Sequence, residues 1–412
     1  MKLTYKHTLI ACYIGYITQA IVNNFAPLLF VTFNKQFNIS INLISILITL
    51  NFGIQIATDI LSVKLIEKIG FRNGCVLSYI LCALGLVMMM SLPFCMNNKF
   101  FALAISIIVS AIGSGLTEVL TSPIVDSLPS KEKSSAMSLL HSFYCWGCVL
   151  VIVVSTLFFR FFGIKNWQYV TLLWASIPFI NMFLFMLIPL PDKIEHEKTT
   201  SLLSLFKSKI FIVCLILMIC AGATEQAIAQ WASLFAETGL NVSKEVGDIL
   251  GPCMFAVFMG LARTLYGIYG AKLNLYRALL LSASLAVITY LITVFAKNPI
   301  ISLLGCSISG IAAGIMWPGV LSLCSQSSKN APAAMFAFLA VGGDIGCTFG
   351  PSLVGYISSL VQKINPTLSN RIIFANDPEG FGLKMGLLFV TIIPVIMIIT
   401  LKKFKKISTK AE

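Results

Sequence analysis

The sequence predicts an all-α membrane protein with twelve transmembrane helices arranged as two six-helix pseudo-repeats. Of its 412 residues, 58% are hydrophobic and only 11% are charged, whereas a soluble protein carries roughly a quarter charged residues. There is too little polar surface to cover a water-soluble particle. The other two observations behind this prediction are the number of long apolar stretches and the recurrence of short sequence words between the two halves.

A transmembrane helix needs about 20 mostly apolar residues to cross the hydrocarbon core of a bilayer. Twelve stretches have this length, and most are joined by short loops. The first follows Lys2 and Lys6, is too long for a signal-peptide core and lacks a small-residue cleavage site, so we expect it to remain as a helix. The predicted spans, numbered 1 to 12, are 8–33, 42–63, 74–95, 100–126, 134–162, 168–190, 210–237, 247–270, 277–296, 299–325, 331–361 and 382–401.

The connection between spans 6 and 7 divides the chain nearly in half. We therefore predict an N-terminal bundle over 1–190, a cytoplasmic linker over 191–209 and a C-terminal bundle over 210–412. Short shared sequence segments support the repeat. Gln-Ala-Ile occurs in spans 1 and 7, and both Ala-Met and Gly-Cys occur in spans 5 and 11. Gly115 of span 4 also aligns with Gly314 of span 10. Two parallel six-helix repeats are a known transporter architecture.

The distribution of Lys and Arg predicts the orientation. With the N-terminus inside, the inner segments hold nineteen of these residues and the outer segments hold nine. Cytoplasmic loops carry the excess of positive charge, so we expect a multi-pass protein of the cell (inner) membrane with both termini in the cytoplasm. This also explains the net charge of +13 without nucleic acid, since basic runs with interleaved aromatics are absent.

The motif search argues against an enzyme. The twelve Cys lie mostly inside apolar runs, without zinc-like spacing or a secreted-domain framework. No Ser-His-Asp, Cys-His or metal-ligand constellation occurs, and we expect no metal and no cofactor. The glycine-rich stretches "AIGSGL", "SGIAAG" and "VGGDIGCTFGP" lie inside spans without a following Lys-Ser/Thr, so they predict close helix packing rather than nucleotide loops.

Five charged residues lie inside the predicted spans and away from the span ends. Each costs at least about 2.5–3.5 kcal/mol at the centre of a membrane helix, so such residues mark a cavity, a proton path or a gate, or else form a buried pair. They are Asp59, Glu118, Glu225, Asp344 and Arg263.

The loop after span 2, "VKLIEKIGFR" at 63–72, resembles the loop motif of the major facilitator superfamily. That motif runs Gly-x-x-x-Asp-Arg-x-Gly-Arg-Arg, and Val63 and Phe71 depart from it. The positions that match are Glu67, Lys68, Gly70 and Arg72. Within the superfamily, Glu118 in a glycine-rich span 4 and "TEQAIAQW" in span 7 resemble the fucose–galactose–glucose:proton symporter branch. Asn23 and Asn24 stand where that branch often has an Asp.

The resemblance implies that spans 1, 4, 7 and 10 line a solute cavity. Amide side chains both donate and accept hydrogen bonds, and residues four apart share a helix face. With nearby indole rings, such amides suit a neutral sugar or polyol, while hydrogen bonding between helices is the alternative. The candidate solute-binding residues are Gln19, Asn23, Gln226, Gln230, Trp231 and Trp317.

Proton coupling needs a group that can be neutral or charged inside the membrane. Burial disfavours the charged form of a carboxyl group, which makes Glu118 the first candidate and Glu225 the second. His141 could form a relay with Glu118, and Asp344 is a further candidate. Asp59 lies near the cytoplasmic side of span 2, on the helix face Asn51–Gln55–Asp59, and Arg263 has a similar position in the second half. We therefore expect Asp59 and Arg263 to form part of a cytoplasmic gate or to support the loop motif. Contact with the solute is the alternative.

These expectations combine into one function. We expect a secondary active transporter that moves a small polar solute, a sugar or polyol, by proton symport and alternating access. Its partners would be the solute, a proton and the lipid bilayer, and we expect a monomer. The alternatives are a drug or metabolite efflux antiporter of the same fold and a transport-inactive membrane sensor.

Overall fold

The structure is a computed structural model that describes residues 3–128, 133–190, 206–269, 274–327, 333–364 and 378–408. All regular elements in these ranges are helical. The α-helices are Tyr5–Asn24, Phe30–Phe37, Ile41–Cys95, Lys99–Ser127, Lys133–Phe162, Trp167–Leu187, Lys209–Ala229, Ala232–Leu234, Lys244–Asp248, Met254–Tyr269, Leu275–Phe295, Pro299–Ser327, Ala333–Ile364, Pro378–Val390 and Ile392–Ser408. Short 3-10 turns occur at Ala26–Leu29 and Ile164–Asn166, and π turns at Phe235–Gly239 and Ile249–Cys253.

The described residues contain twelve helical stretches that are long and apolar enough to cross a membrane, which confirms the predicted fold class and span count. Span 3 begins earlier than predicted, and span 12 is longer at both ends. The twelve stretches are Tyr5–Phe37, Ile41–Ser62, Lys68–Cys95, Lys99–Val125, Leu139–Phe162, Ile164–Leu187, Lys209–Gly239, Lys244–Tyr266, Leu275–Phe295, Pro299–Cys324, Phe338–Lys363 and Glu379–Ile407.

Residue contacts divide the chain into two compact units, Met1–His196 (unit 1) and Glu197–Glu412 (unit 2). The units are described separately below. Most of the predicted linker, residues 191–205, lies outside the described residues.

The loop-motif residues turn the chain between spans 2 and 3. Gly70 has φ 78° and ψ 164°, a backbone conformation that glycine adopts without steric cost. Arg72 then donates from its guanidinium to the carbonyl oxygens of Phe185 at 2.7 Å and Ile188 at 2.9 Å. These carbonyls lie at the end of span 6, where a helix leaves acceptors unsatisfied. Arg72 therefore ties the loop to span 6, whereas Lys68 is exposed and the side chain of Glu67 lies outside the described residues.

Glycines allow the helix backbones to approach closely, as the glycine-rich stretches predict. In unit 1, a Cβ atom at Gly113 would lie 2.6 Å from the backbone nitrogen of Cys82. In unit 2, a Cβ at Gly346 would lie 2.1 Å from the carbonyl oxygen of Ile219, and one at Gly310 would lie 2.2 Å from the carbonyl oxygen of Phe255. The prediction of close packing is confirmed, because each of these positions leaves no room for a side chain.

Eleven of the twelve cysteines are buried, and Cys95 at the end of span 3 is exposed. With the N-terminus in the cytoplasm, the end of span 3 faces the outside. We therefore expect a membrane-impermeant maleimide to label the protein in intact cells, and Cys95→Ser to abolish this labelling. The measurement is mass shift or fluorescence of the purified protein.

The matched control is Lys207→Cys in the Cys95→Ser background. Lys207 is exposed just before span 7, on the predicted cytoplasmic side. The thiol introduced at position 207 should react only after the membrane has been permeabilised. Labelling of the control, but not of Cys95, in intact cells would reverse the predicted orientation.

Candidate functional site

In unit 1, a hydrogen bond joins span 1 to span 4 at the Glu118 carboxyl group. Gln19 donates from Nε2 to Oε2 of Glu118. Gln19 is buried, and Glu118 is partly buried. The structure therefore brings a predicted solute-binding amide and the first candidate for proton coupling into direct contact.

The second predicted amide of span 1, Asn23, belongs to a network with span 2. Its Oδ1 accepts hydrogen bonds from Asn51 Nδ2 at 3.0 Å and from Gln55 Nε2 at 2.8 Å. Ser114 of span 4 donates to Gln55 Oε1 at 3.2 Å. The sequence predicts that the Asn51–Gln55–Asp59 face belongs with the gate residues, and the contacts of Asn51 and Gln55 with Asn23 were not predicted. The regular spacing of four along span 2 is the signal for this contact, since it places all three side chains on one face.

Asp59 packs against span 4, because a Cβ atom at Gly115 would lie 3.1 Å from Oδ1 of Asp59. Gly115 lies three residues before Glu118 and therefore on the same helix face. Oδ1 of Asp59 is buried and has no hydrogen-bond partner among the described residues.

His141, the predicted relay partner of Glu118, is exposed on span 5. Its ring lies edge-on to Tyr16, with centroids 5.2 Å apart. The Tyr16 hydroxyl is hydrogen-bonded to Ser122 Oγ at 3.0 Å. Within the described residues, Glu118 is hydrogen-bonded to Gln19 and not to His141.

In unit 2, Glu225 forms a salt bridge with Arg263 that joins span 7 to span 8. Nη2 of Arg263 lies 2.8 Å from Oε2 of Glu225, and Glu225 is 5% exposed. The sequence pattern grouped Arg263 with Asp59 as a gate residue, whereas the structure pairs Arg263 with Glu225, the second candidate for proton coupling. This geometry corresponds to the buried-pair alternative that the sequence left open for charged residues in the spans.

The salt bridge predicts a stability effect. Removing one partner of a buried ion pair leaves an uncompensated charge and costs about 3–5 kcal/mol. We expect Glu225→Gln to lower the thermal unfolding midpoint of the purified protein, measured by intrinsic fluorescence. The double variant Glu225→Gln with Arg263→Gln should recover most of the loss, because it removes both charges. A midpoint that falls further in the double variant would contradict the pairing.

The amides of span 7 lie beside Glu225. Gln230 donates from Nε2 to Gln226 Oε1 at 3.1 Å, which confirms that the two side chains share a helix face. Gln226 also approaches Glu225, with Nε2 3.5 Å from Oε1. All three side chains are buried.

The two predicted tryptophans differ in their surroundings. Trp231 is 0% exposed, and its indole N–H donates to the carbonyl oxygen of Pro351 in span 11 at 2.9 Å. Trp317 is partly exposed and lies directly against Gly343 in span 11, and the neighbouring Asp344 is partly buried. Trp317 therefore has the freer ring of the two.

A buried charge cluster that was not predicted from the sequence lies where spans 7 and 8 meet. Asp248 is 0% exposed, and Lys244 Nζ lies 3.0 Å from its Oδ2 and 3.2 Å from Oε1 of Glu237. Ser233 donates to Asp248 Oδ1 at 2.5 Å. The signal was present in the sequence, since Lys244 and Asp248 are four residues apart and such pairs face each other on a helix.

Comparison with known proteins identifies the family. The chain matches the Major Facilitator Superfamily over residues 12–351. No curated protein sequence matches it. Among solved structures, it is similar to a bacterial homologue of the human lysosomal transporter spinster, in an inward-facing and unoccupied conformation, with a TM-score of 0.77 and 14% identity over 98% of both chains.

Two sugar transporters of E. coli are also similar in fold. The xylose transporter, in a partially occluded inward open conformation, gives a TM-score of 0.76 at 12% identity over 97% of both chains. The fucose:proton symporter gives 0.64 at 16% identity over 96% of this chain and 98% of its own. At such low sequence identity, these similarities show a shared fold and nothing further. Because the family match covers most of the sequence, the chain belongs to the Major Facilitator Superfamily and is a membrane transporter of small solutes, not an enzyme.

Proposed function

We propose that this transporter moves a sugar or polyol by proton symport, with Glu118 as the group that takes up the coupled proton. The observation that carries the proposal is the hydrogen bond of Glu118 with a neutral amide, Gln19, while no lysine or arginine in the described ranges pairs with it. Alternating access, the general mode of such transporters, would link proton and solute movement. We further propose that the protein acts as a monomer in the cell membrane, with both termini cytoplasmic.

Gln19 suits a carboxyl group that changes its protonation state. An amide carries both a donor NH₂ and an acceptor carbonyl. Its NH₂ can donate to the ionised carboxylate, and after rotation its carbonyl can accept the O–H of the protonated acid. Both forms of Glu118 can therefore be hydrogen-bonded. Glu225 differs, because its negative charge is matched by Arg263 in a buried salt bridge.

The amide side chains favour a neutral, hydroxyl-rich solute. Unit 1 carries Asn23 and Gln55 in a hydrogen-bonded network, and unit 2 carries Gln226 and Gln230. Amides exchange hydrogen bonds with hydroxyl groups without adding charge. Trp317 supplies a partly exposed aromatic ring. The fucose and xylose transporters of similar fold act on sugars, which supports the class of solute, and the fucose–galactose–glucose:proton symporter branch remains part of the proposal.

The proposal is tested by transport into proteoliposomes that contain the purified protein. The probes are radiolabelled L-fucose, D-xylose, sorbitol and uridine. We expect an acidic exterior to drive accumulation of at least one sugar or polyol, and a protonophore to abolish it. Transport of uridine alone would contradict the solute class, and accumulation that ignores the pH gradient would contradict proton symport.

A further inference from the structure

We infer that the end of span 12 in unit 2 is a binding site for an anionic phospholipid, in which lysines hold the head group and the helix above them packs an acyl chain. This inference goes beyond the proposed function and depends neither on the solute nor on the proton. The lysines that form the site, called the lysine cluster below, are Lys402, Lys403, Lys405 and Lys406.

The first step is the direction in which the lysines point. All four are exposed, whereas Leu401 and Phe404, which alternate with them in pairs, are 0% and 4% exposed. Residues three apart lie on the same side of a helix. Leu401 and Phe404 therefore attach the end of span 12 to unit 2, and the ammonium groups face away from the bundle.

The second step is an exposed apolar stripe on span 12 that leads to the lysine cluster. Ile392, Ile396 and Ile399 are 51%, 41% and 61% exposed. Their spacing of four and three, followed by four to Lys403, places all of these residues on one helix face.

This order matches that of a phospholipid, in which an acyl chain leads to a charged head group. Ile392 lies eleven residues before Lys403, or about 16 Å at helical rise. One leaflet contributes about half of the roughly 30 Å hydrocarbon core. An acyl chain of ordinary length can therefore lie along the stripe while the phosphate reaches the lysines.

The third step is the further positive charge from two neighbouring spans. Lys405 Nζ lies 5.3 Å from the ring centroid of Tyr276, at the start of span 9, and the next residue, Arg277, is exposed. Span 7 packs against the helix Ile392–Ser408 and begins at Lys209, which is also exposed. Because spans 7 to 12 are six in number, span 7 begins on the side where span 12 ends. Both cations thus extend the positive surface around the lysine cluster.

The fourth step is the position of the acidic residues. The described acids of unit 2 lie either well inside spans 7 and 11 or at the opposite ends of spans 7, 8 and 12. The former are Glu225 and Asp344, and the latter are Glu237, Glu245, Asp248 and Glu379. Within the described residues, this end of unit 2 therefore carries positive charge only. The predicted orientation places it at the cytoplasmic leaflet, whose anionic lipids attract such basic segments.

The test is the binding of phospholipid to the purified full-length protein, measured by native mass spectrometry. The probes are phosphatidylglycerol and, with the same acyl chains, zwitterionic phosphatidylcholine. We expect the variant that changes all four residues of the lysine cluster to Gln to bind phosphatidylglycerol on the order of tenfold more weakly, or less. Its binding of phosphatidylcholine should not change. If this variant is not recovered folded, Lys402→Gln with Lys403→Gln takes its place.

Two control variants separate the site from net charge. Changing the lysine cluster to four Arg keeps the charge and should keep the binding of phosphatidylglycerol. The charge-matched control changes four exposed cations at the opposite ends of the spans to Gln and should bind as the wild type does. These cations are Lys35, Arg160, Lys165 and Lys297.

Inorganic phosphate distinguishes a lipid site from a simple anion site. Added at the concentration of the lipid, it should not displace phosphatidylglycerol, because it has no acyl chain to pack on the stripe. Ile396→Ser with Ile399→Ser should weaken the binding of phosphatidylglycerol for the same reason. Displacement by phosphate would overturn the lipid site. Undiminished lipid binding in the four-Gln variant, or an equal loss in the charge-matched control, would overturn it as well.

Discussion

Replacing Glu118 by Gln is expected to abolish solute accumulation driven by a pH gradient, while exchange of solute across the membrane continues. Gln has the shape of the protonated acid and can still hydrogen-bond Gln19, the observed partner of Glu118, so solute should bind. It cannot take up or release a proton, and a carrier without that step only equilibrates its solute. The measurement compares counterflow with gradient-driven uptake in proteoliposomes, using whichever of the four probe solutes the wild-type protein accumulates.

The matched control is Glu245→Gln, an acid in the short helix Lys244–Asp248 that is partly exposed. It should accumulate solute as the wild type does. If Glu118→Gln accumulates solute normally while Glu225→Gln does not, the proton role belongs to span 7. Because Glu225→Gln is also expected to be less stable, its transport must be compared per folded molecule. If both variants accumulate normally, coupling depends on Asp344 or on another ion.

A side chain at position 346 is expected to prevent unit 2 from folding. The Cβ of Gly346→Val would lie 2.1 Å from the carbonyl oxygen of Ile219 and 2.7 Å from the backbone nitrogen of Ala223. Both atoms belong to the backbone of span 7, so spans 7 and 11 would have to separate along their length. Overpacking a core lowers the free energy of unfolding by about 1–3 kcal/mol and occasionally more. Each loss of about 1.4 kcal/mol lowers the ratio of folded to unfolded protein about tenfold.

The expected result is a roughly tenfold or greater loss of monodisperse protein, measured by fluorescence-detected size-exclusion chromatography after membrane extraction. Gly53→Ala is the control, because no atom lies within 4 Å of a Cβ at that position in span 2. It should be recovered in wild-type amounts. Equal recovery of Gly346→Val would contradict the contact between spans 7 and 11.

The twelve spans were predictable because bilayer thickness sets the length of an apolar stretch, and such a stretch is read along contiguous residues. The glycine-rich stretches correctly predicted close helix packing, because small residues mark positions where helices approach closely. The resemblance at Gly70 and Arg72 led to the correct superfamily. These features depend on residue type and on spacing within one segment.

The partners of the polar side chains became evident only from the folded units. The sequence placed Asp59 and Arg263 together as gate residues, yet Arg263 pairs with Glu225, and Asp59 packs against Gly115 of span 4. It marked Trp231 as a candidate solute-binding residue, and the structure bonds its indole N–H to the Pro351 carbonyl oxygen of span 11. Which side chains meet depends on the rotation of each helix about its axis and on how neighbouring helices cross. Those quantities come from the packing of several spans at once, so no single segment of the sequence records them.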